Sequence, residues 1–176
     1  MSTNIKKAVI LVSGGMDSAV TMAIAKQQGF LCHALSVSYG QRHSAELDAA
    51  NELAKLQGAA LHKTVVVDLR SIGGSALTSD IAVPESATEG IPVTYVPARN
   101  TLFFAYAMGF AEIIDANEIH YGANKLDYNA YPDCRPEFIS AFQRVLDIGS
   151  KNANLGKPIK LCTPLIDFNK TQIIQL

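Results

Sequence analysis

The sequence predicts an α/β protein built on an open, doubly wound, mostly parallel sheet with helices on both faces. Three observations carry that expectation. Short β-branched runs alternate with helical apolar stripes along the 176 residues. The first run breaks into Ser13-Gly14-Gly15-Met16-Asp17-Ser18, the signature of a strand passing through a tight loop into a helix start. The composition, 48% apolar and 18% charged, is that of an ordinary folded domain.

The elements follow in order. Residues 8–12 make the first strand and 17–28 the first helix, striped by Ala19, Val20, Ala23 and Ile24 and stopped by Gly29. Residues 31–37 are the second strand, and 44–56, rich in Ala, Leu and Glu, the second helix. The third strand, 61–67, has the β-branched centre Thr64-Val65-Val66-Val67. Glycines and prolines then interrupt the rhythm through 71–97, a length of loop that usually serves function, here a flap or meander beside the site. A third helix is expected at 98–114, a strand at 118–121, a helix at 136–150, a strand at 159–162 and the start of another helix at 170–176. In such a sheet ligands sit outside the carboxyl ends of the strands.

Bulk properties narrow the function classes. The length suits one domain over residues 1–176, which would bury about 70% of its unfolded surface without disulfide staples. A net charge of −1, with no basic cluster beyond Lys6-Lys7, argues against a nucleic-acid partner. No apolar stretch approaches membrane-spanning length, and the N-terminus reads as a strand rather than a signal peptide. Cys32, Cys134 and Cys162 are scattered and odd in number, as expected of free thiols in a reducing, cytoplasmic compartment.

The first loop is the chemical centre of the sequence. A helix start offers unpaired N–H groups and a favourable dipole, and glycines let the backbone approach a ligand, so the junction is a phosphate cradle. It is not a Walker loop, because no lysine stands between Gly14 and Lys26. Nor is it a dinucleotide fingerprint, which spaces its glycines differently, or a hydrolase elbow, which needs glycine where Leu11 stands. The bland alternative is a simple turn with Asp17 or Ser18 capping the helix. The string S-G-G-x-D-S resembles the loop of the N-type ATP pyrophosphatases, the PP-loop enzymes, which split ATP between its α and β phosphates.

Three later segments, each following a strand or the long loop, extend the resemblance: Tyr39-Gly40-Gln41-Arg42-His43, Tyr95-Val96-Pro97-Ala98-Arg99-Asn100, and Tyr131-Pro132-Asp133-Cys134-Arg135-Pro136-Glu137-Phe138. With the first loop they resemble the 7-cyano-7-deazaguanine synthases of queuosine biosynthesis, in order and over essentially the whole chain. Asn129-Ala130 stands where that family more usually has Ser-Gly. The resemblance implies an adenine-nucleotide alpha-hydrolase-like fold. It also implies two ATP-dependent steps that convert 7-carboxy-7-deazaguanine and ammonia, through the amide, into the nitrile. ATP and Mg²⁺ are the implied cofactors, and a homodimer is the candidate assembly. The family also carries a structural zinc on four cysteines near its C-terminus. No C-x-x-C spacing occurs here, so the sequence is either a fragment or a member without the metal, and its stop inside an apparent helix favours a fragment.

On this footing Leu11, Val12, Ser13, Gly14, Gly15, Met16, Asp17 and Ser18 form the nucleotide cradle, with Asp17 on Mg²⁺ or its water shell and Asp127 a second candidate for the metal or the substrate. Arg42 and His43 could meet the leaving phosphates or the substrate carboxylate, or Arg42 could simply start a surface helix. Arg99 and Asn100 open a helix where a cation is unwelcome, which points to the α phosphate or the bound carboxylate. One carboxylate should pair with the amidine edge of the base, Asp133 or Glu137, unless it caps the following helix. Arg135 and Tyr95 complete the substrate set, with Tyr39, Tyr128 and Tyr131 as further candidates for stacking or packing. Cys134 lacks an adjacent histidine, and His33, His62 and His120 lie within strand patterns that favour packing. Two rival readings are another PP-loop ligase acting on tRNA, for thiolation or lysidine formation, and a non-catalytic nucleotide-binding module.

Overall fold

The computed structural model describes residues 5–40, 45–78 and 90–176. Its framework is a five-stranded sheet of order β3-β2-β1-β4-β5, formed by β1 (Lys7–Leu11), β2 (Leu31–Ser38), β3 (Leu61–Val66), β4 (Glu118–His120) and β5 (Lys160–Cys162). All four pairings are parallel. The helices are α1 (Met16–Gln27), α2 (Ala45–Leu56), α3 (Arg99–Ile114), α4 (Lys125–Ala130), α5 (Pro136–Gly149), α6 (Lys151–Asn154) and α7 (Lys170–Ile174), with a 3₁₀ turn at Pro132–Cys134.

A central parallel strand is covered on both faces and must be apolar throughout. β1 meets that demand, since Ala8, Val9 and Ile10 are fully buried. Its side chains alternate between two cores. Val9 and Leu11 pack with Phe104, Ala107 and Phe110 of α3 and with Phe142 and Leu146 of α5. Ala8 and Ile10 pack with Met22 and Ala25 of α1 and with Ala50 and Ala54 of α2. Helices therefore cover both faces, as the alternating pattern predicts.

The chain runs from β1 outward to β2 and β3, then returns through α3 to β4 on the other side of β1. The strand order reverses between β1 and β4, and the crevice at their carboxyl ends is where such a sheet takes its ligand. Gly122 brings the β4 loop hard against α1: a Cβ there would lie 2.9 Å from Thr21 Oγ1 and 3.0 Å from the Asp17 carbonyl.

Most boundaries fall within a residue or two of the sequence expectation. The last helix ends earlier, at Ile174, and α4 and α6 were not foreseen. α4 has six residues, too few for an apolar stripe to declare itself, and it exists because of its cap. The Asn124 side chain accepts from the Leu126 N–H, and the Asp127 side chain accepts from the Asn124 N–H.

Two of the described non-glycine residues have left-handed backbone: Asp115 (φ 56°), which ends α3 and is of a type that tolerates it, and Ala98, which is strained. Ala98, immediately before α3, has φ 58°, a left-handed conformation that costs an L-residue about 1–2 kcal/mol. Ala98→Gly should release that strain and stabilise the fold by about 0.5–1 kcal/mol, after the loss of unfolded-state entropy is counted. Thermal melts should show Tm rising by roughly 1–4 °C. A fall would mean that the strain is absent.

Candidate active site

The carboxyl ends of β1, β2 and β4 open into a cavity of about 600 Å³, within the usual size range of small-molecule sites. Leu11, Val12, Ser13, Gly14, Gly15, Asp17 and Ser18 line one side of it. Met16 does not, and its side chain is exposed.

Within the loop the Gly15 N–H donates to the Ser13 hydroxyl at 3.4 Å, while the start of α1 itself is left uncapped. Gly15 is the N-cap residue of α1 and no side chain caps the helix, so the simple capping role considered for Asp17 or Ser18 does not hold. Instead the Ser18 hydroxyl donates to the Gly15 carbonyl at 2.8 Å and accepts from the Ser13 N–H at 3.3 Å, fastening the loop across its own neck. Gly14 has φ 83°, and a Cβ there would lie 2.7 Å from the Ala50 nitrogen and 2.8 Å from the Glu46 carbonyl of α2. Gly15 is different: a Cβ would meet only the Ser13 hydroxyl, at 3.5 Å, and would otherwise project into unfilled space. The first glycine is demanded by the protein, the second leaves room for a ligand.

Asp17 is held from two distant parts of the chain. Its Oδ2 accepts from Lys170 Nζ at 2.5 Å and from Asn124 Nδ2 at 3.1 Å. Its Oδ1 is buried and has no hydrogen-bond partner. Asp127 is tied to the same Asn124, whose backbone N–H donates to Asp127 Oδ2 at 3.0 Å. Burial pushes the Asp127 carboxyl up, the Asn124 N–H and the Lys170 charge pull it down, and the neighbouring Asp17 adds to the rise. A buried orphan oxygen beside a second carboxylate is a donor set that suits a magnesium ion or its water shell.

The opposite wall is made by Tyr39, Arg99, Asn100, Phe103, Tyr121 and Cys134. Phe104 holds the Tyr121 ring edge-on, with centroids 5.1 Å apart. The Arg99 guanidinium lies over the rings of Tyr39 and Phe103, at 5.6 and 5.8 Å. Cys134 accepts a hydrogen bond from Asn100 Nδ2 at 3.2 Å and lies 3.5 Å from the Tyr121 hydroxyl. Burial pushes the Cys134 thiol up to about 11, so it stays protonated at neutral pH and is no activated nucleophile. His33, His62 and His120 are each pushed down by burial, consistent with packed neutral rings.

Four residues of the expected substrate set stand off this wall. Asp133 is buried, but its Oδ2 accepts the Asn100 N–H at 3.2 Å and so serves the first turn of α3, neither facing the cavity nor capping the next helix. Tyr95 stacks on Tyr131, with centroids 6.4 Å apart, and it is Tyr131 that reaches the cavity. Arg135 and Glu137 are exposed at the start of α5, away from the cavity lining. Arg42 and His43 lie outside the described residues. Of the long loop, Leu77 reaches the cavity, and 79–89 lie outside the described residues. Lys170 and Asn124 are the residues sequence reasoning left unassigned. A faint signal existed for both, since each sits beside or at a capping box, Asn169 with Gln172 and Asn124 with Asp127.

Residues 7–176 match the family model described as Queuosine biosynthesis protein QueC. The chain belongs to this family. It is 59% identical over 169 residues to a 7-cyano-7-deazaguanine synthase of Stenotrophomonas maltophilia, covering 96% of this chain and 76% of that protein. A protein of the same name from Saccharophagus degradans is 56% identical over 172 residues, with 97% and 76% covered. Among solved structures, an NH3-dependent NAD synthetase from Campylobacter jejuni superposes with a TM-score of 0.53 at 17% identity, over 99% of this chain and 63% of the other. At that identity the likeness is one of fold alone, the expected open parallel α/β sheet.

Among the described residues, the zinc that the sequence resemblance implies finds no seat. Cys32, Cys134 and Cys162 are free. Among the described residues one mixed cluster gathers, Glu118, His120 and Cys162. Glu118 Oε2 lies 2.7 Å from His120 Nε2 and accepts from Cys162 Sγ at 3.2 Å. A metal on Nε2 would move the ring proton to Nδ1, which is buried with no partner, whereas metal-bound histidines anchor that nitrogen. The cluster fits a hydrogen-bonded triad between neighbouring strands and does not fit zinc.

Among the described residues, no helix is long and apolar enough to cross a membrane.

Proposed function

We propose that this QueC-family chain makes 7-cyano-7-deazaguanine for queuosine biosynthesis by adenylating 7-carboxy-7-deazaguanine and then its amide. One observation carries the reading: an uncapped phosphate-cradling loop and the Arg99 guanidinium open into the same cavity, in a chain 59% identical to a 7-cyano-7-deazaguanine synthase. In each round an acyl oxygen attacks the α phosphorus and pyrophosphate leaves. Ammonia then displaces AMP from the acyl adenylate to give the amide. The adenylated amide sheds AMP, and its two nitrogen protons pass to solvent.

The protein's part is positioning and charge neutralisation. The backbone of residues 13–18 cradles the β and γ phosphates, with Ser18 keeping the loop closed. Magnesium, bound through Asp17 Oδ1 with Asp127 nearby, would neutralise phosphate charge. Asp133 is engaged at α3, which leaves Asn100 Oδ1, buried and unpartnered, and Asp127 as acceptors for the base. Incubation of the full-length protein with ATP, Mg²⁺, ammonium and 7-carboxy-7-deazaguanine should yield AMP, pyrophosphate and the nitrile. Formation of ADP and phosphate, or dependence on tRNA, would overturn the reading.

Lys170 holds Asp17 from α7 and is half-exposed, so it can swing to a phosphate when nucleotide arrives. Lys170→Met should lower kcat/KM for ATP by about 10- to 100-fold, the range of one charge-assisted phosphate contact, with Tm nearly unchanged. Unaltered ATP kinetics would confine Lys170 to an ordinary surface ion pair.

A further inference from the structure

Arg99 begins α3, where the helix dipole disfavours a cation, and the strained Ala98 before it fixes the entry into the helix. Its Nε is enclosed and has no hydrogen-bond partner. Among the described residues no carboxylate lies within ion-pair distance of it. Burial opposes the charge, but Tyr121, Tyr39 and Asp133 outweigh that and hold the guanidinium above its ordinary value. A partly buried cation without a counter-ion is costly, and a ligand anion relieves it.

Two anions must enter this cavity, the triphosphate and the acyl carboxylate. The triphosphate has its own seat at residues 13–18, where Lys170 already stands against Asp17. Arg99 keeps other company, among Tyr39, Phe103 and the Tyr121–Cys134–Asn100 cluster. Resting on the function proposed above, we infer that Arg99 is the specificity-determining residue for the acid, pairing its guanidinium with the substrate carboxylate. The amide that follows carries no charge. The first adenylation therefore draws on a buried ion pair, and the second on no more than a neutral-acceptor hydrogen bond. One pocket thus serves two substrates of the same shape, with Arg99 the element that distinguishes them.

The test is to assay Arg99→Gln with 7-carboxy-7-deazaguanine and with its 7-carboxamide as separate substrates, following AMP, alongside ATP affinity by equilibrium binding. Losing one side of an enclosed ion pair should cut kcat/KM for the acid about 100-fold. Losing a hydrogen bond to a neutral acceptor should cut it less than about tenfold for the amide. ATP affinity should not change. Equal losses on both substrates, or weakened ATP binding, would move Arg99 to the nucleotide and overturn the inference. Should the variant fail to fold, the wild-type protein still decides, because the acid should bind at least about tenfold more tightly than the isosteric amide. Equal affinities would refute the carboxylate pairing. Wild-type protein that turns over neither substrate would strike the proposed function itself, and the role of Arg99 with it.

Discussion

Replacing Asp17 with alanine is expected to lower pyrophosphate-forming turnover by about 10³-fold or more, while the protein stays folded. The size follows from what the carboxylate is asked to do. Its Oδ1 is buried and unpartnered, and removing a group that organises charge at the reacting phosphate typically costs 10²–10³-fold or beyond. Stability should barely move. The partner Lys170 is half-exposed and can return to water, and exposed pairs contribute about 0–1 kcal/mol. Pyrophosphate release and a thermal melt, measured on the same preparation, check both halves. A variant that melted far below the parent would make Asp17 a structural residue instead.

Gly14→Ala should be as damaging by a different route. The added methyl group would meet the α2 backbone at 2.7–2.8 Å from a residue at φ 83°. Left-handed strain of about 1–2 kcal/mol adds to overpacking of about 1–3 kcal/mol. The fold should lose roughly 2–5 kcal/mol, a fall in Tm of about 4–20 °C. Turnover should also drop by about 10³-fold, since the loop cannot keep its place against α2 and still present its amides. Gly15→Ala is the internal control: it meets no backbone, so it should keep the parent's Tm and lose nucleotide affinity. Equal melting of the two variants would mean that Gly14 does not bear on α2 as described.

Local features were legible in the sequence and distant ones were not. β1 and α1 announced themselves because apolar periodicity and a glycine pair act over a few residues. The cradle was legible for the same reason, being one unbroken string. Asp17's partners were hidden because Asn124 is 107 residues away and Lys170 is 153. Asp133 shows how a sound local argument misdirects. An acid before a helix is a reasonable cap for that helix or a reader of the base, yet it bonds the start of α3, 33 residues earlier. α4 was missed because capping, rather than burial, makes it a helix: none of its residues is buried. Arg99 was found through a local misfit of charge, but its setting against Tyr39 and Phe103 is visible only in three dimensions.

Asn124 has a consequence of its own. One side chain closes the first turn of α4 through Oδ1, at 2.8 Å from the Leu126 nitrogen, and steadies Asp17 through Nδ2. A six-residue helix has too few hydrogen bonds to persist unaided. Melting of α4 would leave Asp17 with Lys170 alone, so a group that clamps the carboxylate should also favour an ordered segment between β4 and α5. One amide group thus links the order of α4 to the position of the Asp17 carboxylate at the start of α1.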